Sequence, residues 1–204
     1  MKPMYLPGVE NKTDGQGAYA NLIAAVRAAG QPVPQIWHLF AYKPAMTLHL
    51  ERLTQEIMRG PSPLSPGFRE LIATVTSARN RTAFCATTHA AATAELLGDR
   101  ELVESVMRDP AASSLSSAEK ALLAFVEKVN REPWAIAAGD VQSLHSLGWS
   151  DEAIYDAITV CALFNFYNRW VATTGVCQMP DEGIQTSGER IARTGYLRTD
   201  VSAG

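Results

Sequence analysis

The sequence predicts an all-α fold, and three features carry that expectation. Ala-rich stretches repeat apolar residues at three- and four-residue spacing, capping residues and glycines punctuate them, and no alternating run of β-branched residues is long enough to read as a strand. With 204 residues, 47% of them hydrophobic, the chain has the length of one domain and the material for a substantial core.

The elements follow in order. Residues 1–16 are polar and carry Pro3, Pro7 and Gly8, and they read as an N-terminal arm. A first helix is predicted over about Ala18 to Ala29, stopped by Gly30 and followed by an extended Gln31-Pro-Val-Pro34 connector. Ile36 to Ala41 suits a short helical turn. Pro44 fits the first position of a helix that carries Leu48, Leu53 and Ile57 until Gly60-Pro61 ends it. After a linker, Ser65-Pro66 reads as cap and first-turn proline for a helix bearing Phe68, Glu70, Leu71, Ile72 and Val75. Asn80 reads as the cap of the next helix, through Leu97, and Asp99 to Arg108 as a short one broken by Asp109-Pro110. Ser116-Ser-Ala-Glu119 has capping-box spacing ahead of Leu122, Phe125, Val126 and Val129, for a helix to about Asn130. Gly139 to Leu147 makes another, closed by Gly148. Ser150 caps a long final helix through Val160, Phe164 and Trp170 to Gly175, completing a body over residues 17–177. Residues 178–204 are polar, with Gly183, Gly188 and Gly195, and read as a C-terminal arm, either disordered or laid on a neighbouring subunit.

Composition narrows the function. A net charge of −3 with scattered Lys and Arg gives no footprint for nucleic acid or an anionic membrane. The N-terminal stretch lacks the apolar run of a secretory signal, and Ala157 to Phe164 is far shorter than a membrane span, so a cytoplasmic protein is expected. Cys85, Cys161 and Cys177 form no close pair, which argues against a disulfide scaffold and a four-thiolate zinc site. His38, His49 and His145 have no ligand-like spacing, and neither a metal nor a cofactor is expected.

The chemistry concentrates in Ala78-Arg-Asn-Arg-Thr-Ala-Phe-Cys85-Ala-Thr-Thr-His89, with Glu70 one segment earlier. On a helix, Cys85 and His89 stand one turn apart on one face, and a carboxylate within reach completes the parts of a reactive cysteine. With Asn80 as cap, Thr82 holds the first-turn position where free backbone N–H groups best lower a thiol pKa, and Cys85 lies one turn deeper. Cys85 would then draw thiolate character from His89, made more basic by Glu70. Structural roles compete: Cys85 as a small buried hydrophobe, His89 as a core histidine bonded to a carbonyl, and Glu70 as a solvated helical residue. Asn165 and Asn168 share a face with Cys161 and Ala172 in an otherwise apolar helix. As buried amides they need partners, either lining a pocket with Arg169, which could grip an anion by a forked contact, or serving packing.

The run Glu70, Asn80, Phe84, Cys85 and His89 resembles the signature of the alkylhydroperoxidase D-like branch of the carboxymuconolactone decarboxylase superfamily. The Lys43-Pro44 helix start, Leu115 to Asn130 and Phe164-Asn-Phe-Tyr-Asn-Arg169 are similar to its peroxidase-related members, and the likeness spans roughly residues 33–177. The resemblance implies an alkylhydroperoxidase D-like helical domain that assembles as a homo-oligomer. One position departs from the pattern. Thr82 stands where redox-active members carry a first cysteine, so the intramolecular disulfide of that chemistry cannot form on this motif, and neither Cys161 nor Cys177 is placed by sequence to replace it. Phe84 also stands where some members have a histidine between the two cysteines.

The expected activity is therefore that of an antioxidant, peroxidase-related oxidoreductase reducing hydroperoxides weakly through one cysteine. Cys85 attacks, His89 is the base, Glu70 orients it, and an external thiol reductant resolves the sulfenate. Thr82, Phe84, Asn165, Asn168 and Arg169 are the substrate-pocket candidates. Two alternatives stay open. One is a lyase similar to the lactone decarboxylases, using His89 and Glu70 on a carboxylated lactone held by a cation, with Cys85 incidental. The other is a non-catalytic helical oligomer in which Cys85 is buried and no pocket reaches it.

Overall fold

The computed structural model describes residues 2–12 and 14–198, and among them it has eleven α-helices and no strand. In chain order these are α1 (Pro7–Glu10), α2 (Ala18–Ala28), α3 (Ile36–Tyr42), α4 (Pro44–Arg59), α5 (Pro66–Arg79), α6 (Ala83–Leu97), α7 (Arg100–Arg108), α8 (Ser117–Arg131), α9 (Ala138–Ser146), α10 (Asp151–Thr174) and α11 (Asp181–Thr194). A single 3₁₀ turn, Pro133–Ala135, joins α8 to α9. No helix among the described residues is long and apolar enough to cross a membrane.

Local chemistry sets most of these boundaries. Ser65 Oγ accepts from the Phe68 amide at 3.1 Å and opens α5 behind Pro66. Ser116 and Glu119 close a reciprocal capping box at the start of α8, and Ser150 caps α10 by accepting from the Ala153 amide at 3.2 Å. Gly98 and Gly175 end α6 and α10 in left-handed conformations, with φ of 66° and 79°. The amphipathic faces then meet around a core of Leu71, Ile72, Leu122, Val126, Val160 and Phe164, contributed by α5, α8 and α10.

Two expectations about local structure need correction. Asn80 does not cap α6. It is the C-cap residue of α5, Arg81 turns the chain at φ 54°, and Thr82 takes the N-cap position of α6. Tertiary hydrogen bonds decide this, because the Asn80 amide is drawn into a network described below and is not free to cap. Cys85 consequently lies at the third residue of α6, inside its first turn.

The segment after Gln178 is neither disordered nor laid elsewhere over its described part. Pro180 and the acidic pair Asp181-Glu182 start α11. Ile184, Gly188 and Ile191 recur at helical spacing, and α11 packs along α6 of the same chain. The N-terminal arm is also docked, since Met4 is buried and the Tyr5 amide donates to the Thr174 carbonyl at 3.0 Å.

The seat of α11 is tight. A Cβ on Gly188 would lie 2.5 Å from the Ala91 Cβ and 2.9 Å from the Ala92 nitrogen. Gly188→Ala is expected to push α11 from α6 and cost ~1–3 kcal/mol, as overpacking does. Urea unfolding checks this, and an unchanged midpoint would mean that the two helices do not meet there.

Candidate active site

Glu70 sits in the second turn of α5 with no exposed surface, which overturns its reading as a solvated residue. A buried carboxylate has to be matched, and three side chains do so. Its Oε2 lies 2.7 Å from His89 Nδ1, while its Oε1 accepts from Arg59 Nη2 at 2.7 Å and from the Tyr196 hydroxyl at 2.7 Å. Burial pushes the Glu70 carboxyl up, but the bond and charge of His89, with Arg59 and Tyr196, outweigh it and hold the group below the usual carboxylate range. The Tyr196 phenol moves the other way, raised by burial and by the Glu70 charge.

His89 is held on three sides. Glu70 fixes Nδ1, Phe164 meets the ring edge-on with centroids 4.6 Å apart, and Tyr196 lies nearly parallel to it at 6.2 Å. With Nδ1 engaged, Nε2 is the nitrogen left for chemistry. His89 and Cys85 line one cavity of about 90 Å³, walled by residues of α3, α4, α6, α10 and α11, with Tyr196 and Arg198 beyond α11.

Cys85 is 2% exposed, and burial pushes its thiol up to about 12 against a smaller downward pull from the Asn168 amide. No hydrogen bond joins it to His89. A thiol with that pKa is ionised in roughly one molecule in 10⁵ at pH 7, so desolvation wins over its first-turn position, and a base must take its proton.

The remaining candidates divide. Phe84 lines the cavity. Thr82, Asn165, Asn168 and Arg169 do not, and each has a structural post. Thr82 is buried at the α6 N-cap, its hydroxyl 3.4 Å from the Asn80 carbonyl. Asn80 Nδ2 donates to Asn168 Oδ1 at 2.9 Å and Asn165 Oδ1 at 3.3 Å, Asn130 Nδ2 donates to Asn80 Oδ1 at 3.0 Å, and Asn165 Nδ2 donates to Asn130 Oδ1 at 2.6 Å. Asn168 completes the set by donating to Ser77 Oγ at 2.9 Å. These amides tie α5, α8 and α10 together behind Cys85, so the polar face of α10 serves packing. Arg169 folds back on its own helix, Nη1 donating to the Asn165 carbonyl at 2.9 Å, and does not line this cavity.

Sequence reasoning missed Arg59 and Tyr196, which complete the site, and Tyr19, Glu51, Arg190 and Arg198, which line the cavity. Arg59 and Tyr196 reach Glu70 from positions 11 and 126 residues away. No local pattern announces them. Among the described residues no group of His, Cys, Asp and Glu could hold a metal ion.

Comparison with known proteins finds a family match over part of the chain and similar solved structures. The family model for the carboxymuconolactone decarboxylase family matches residues 44–128, the span that holds Glu70, Thr82, Cys85 and His89. Over this span the chain is similar to the carboxymuconolactone decarboxylase family. Two solved structures share its all-helical fold. A Ralstonia eutropha protein described as an alkylhydroperoxidase AhpD core and uncharacterized peroxidase-related protein is 23% identical, with a TM-score of 0.71 over 84% of this chain and 89% of that one. An uncharacterized peroxidase-related protein from Silicibacter is 28% identical, with a TM-score of 0.70 over 81% of this chain and 85% of that one. No curated protein matches the chain. Within the matched span α5 and α6 bring Glu70, Cys85 and His89 together, and Arg59 of α4 and Tyr196 of the C-terminal segment are further partners of Glu70.

Proposed function

We propose that the protein is a one-cysteine, peroxidase-type oxidoreductase in which Glu70, His89 and Cys85 move one proton. The observation that carries this reading is that the thiol and a histidine oriented by a buried carboxylate share one cavity. As a hydroperoxide enters, His89 Nε2 takes the Cys85 proton. The sulfur attacks the distal peroxide oxygen, the O–O bond breaks, and the alkoxide leaves as an alcohol with the proton that His89 held. Cys85 is then a sulfenic acid, two electrons oxidised. Two equivalents of an external thiol return it to the thiol, with release of water and formation of their disulfide.

Trapping with a dimedone-type probe after substoichiometric hydroperoxide tests the step. Label at Cys85, absent from Cys161 and Cys177, and loss of turnover in a folded Cys85→Ser variant are expected. Turnover unchanged in Cys85→Ser would sink the thiol reading.

The raised thiol pKa favours a second reading, in which Glu70 and His89 act alone as an acid–base pair of a lyase and Cys85 is only a wall of the cavity. That activity would survive both thiol alkylation and Cys85→Ser. Oligomeric assembly and a cytoplasmic location remain part of the proposal.

A further inference from the structure

The cavity carries two arginines that its acidic residues do not neutralise. Arg190 of α11 and Arg198 both line it, and neither is among the ion pairs formed by the described residues. Arg190 Nη1 donates to the Gly195 carbonyl at 2.9 Å. The Arg198 guanidinium stands 5.8 Å over Tyr19 and 5.1 Å over Trp37, and its buried Nε has no hydrogen-bond partner.

Glu51 is the sole carboxylate on the cavity wall, and its buried Oε1 also lacks a hydrogen-bond partner. Burial raises the Glu51 pKa against hydrogen bonds from the Tyr19 hydroxyl and the Arg198 amide and the smaller pull of both arginine charges. Ionised, it leaves an excess of one positive charge; protonated, it leaves two. Glu70 does not make up the difference, because Arg59, His89 and Tyr196 already claim its two oxygens. Burial, and then the Arg198 charge, lowers the Arg190 pKa to about 10. Half-buried cations in excess of their counter-charge favour an anion beside them, and a ligand anion supplies it.

The rest of the wall defines what else such a ligand must be. Ile36, Phe84, Phe164 and Met179 give it an apolar side. The cavity is small, about 90 Å³, so the ligand is short. A guanidinium matches a carboxylate by planar, paired N–H donation.

We propose that Arg190 and Arg198 form a carboxylate-binding subsite, which selects short-chain substrates bearing a carboxylate away from the group that reacts at His89 and Cys85. The reacting end rests on the peroxidase reading, in which the substrate is a short hydroperoxide that also carries a carboxylate. The carboxylate end stands on the arginines alone.

Calorimetric titration of the full chain with butyrate and with its neutral isostere butyramide tests the subsite without any turnover. Butyrate should bind at least tenfold more tightly than butyramide. Arg190→Met and Arg198→Met should each weaken butyrate binding at least tenfold with unchanged far-UV circular dichroism, and Glu51→Gln should bind butyrate at least as tightly as the parent. If an arginine variant fails to fold, the parent and Glu51→Gln decide. Equal binding of the two ligands, no binding of butyrate at millimolar concentration, or weaker binding by Glu51→Gln overturns the proposal. Absence of sulfenate at Cys85 would end the peroxidase reading and leave the subsite standing.

Discussion

Glu70→Ala is expected to lower the free energy of unfolding by ~3–5 kcal/mol, the cost of breaking a buried ion pair from one side. The variant leaves the Arg59 guanidinium, only 11% exposed, beside the buried Arg69 with no carboxylate to answer it. It also removes the 2.7 Å bonds of His89 Nδ1 and the Tyr196 hydroxyl to Glu70, leaving these two only their mutual contact at 3.3 Å. Glu70→Gln keeps the shape and an acceptor oxygen and should lose less. Urea unfolding of the three proteins makes the comparison, and a loss below ~1 kcal/mol in Glu70→Ala would put Glu70 outside a buried ion pair.

The pH dependence has a fixed sign. The folded-state pKa of Glu70 lies below its unfolded value of ~4.3, so its contribution is complete above that value and is lost as pH falls through the lower folded one. The stability gap between the parent and Glu70→Gln should stay level from neutral pH to about pH 5 and close below pH 4. A gap that widens on acidification would contradict the lowered pKa.

His89→Gln is expected to reduce turnover by ~10²–10⁴-fold, the usual contribution of a positioned general base. With Cys85 pushed up to about 12, the thiol depends on a base to take its proton, so the loss should fall at the upper end of that range. The same loss is expected for the acid–base reading, and the pair of variants separates the two. Parallel loss in His89→Gln and Cys85→Ser points to the thiol, whereas loss in His89→Gln only points to the lyase. The stability cost should be modest, ~1–3 kcal/mol for the hydrogen bond that Glu70 forfeits. Activity retained in a folded His89→Gln protein would remove both readings.

The helices were legible wherever one residue decides its own neighbourhood. Ser65, Ser116 and Ser150 cap the elements their spacing announces, and Gly175 ends the long helix in the left-handed turn that its position suggests. Asn80 shows where such reasoning stops. Asn80 and Thr82 both suit a helix start, and four amides gathered from three helices settle the choice. The C-terminal helix was missed for a related reason. Its apolar residues are few, and α11 is held by the close fit of Gly188 on Ala91 rather than by a broad hydrophobic stripe.

The motif residues Glu70, Cys85 and His89 could be picked out in the chain, as could the helices that carry them, because helical spacing and capping are properties of adjacent residues. The sequence by itself therefore determined the all-α class, most helix starts and the three side chains at the centre. Tertiary structure decided the rest. It set the full burial of Glu70, the bonds from Arg59 and Tyr196, the desolvation that keeps Cys85 protonated, and the meeting of Arg190 and Arg198 with Glu51. Each depends on which distant groups share a water-excluded space, and charge and solvation in such a space follow from distance through the fold rather than from order along the chain.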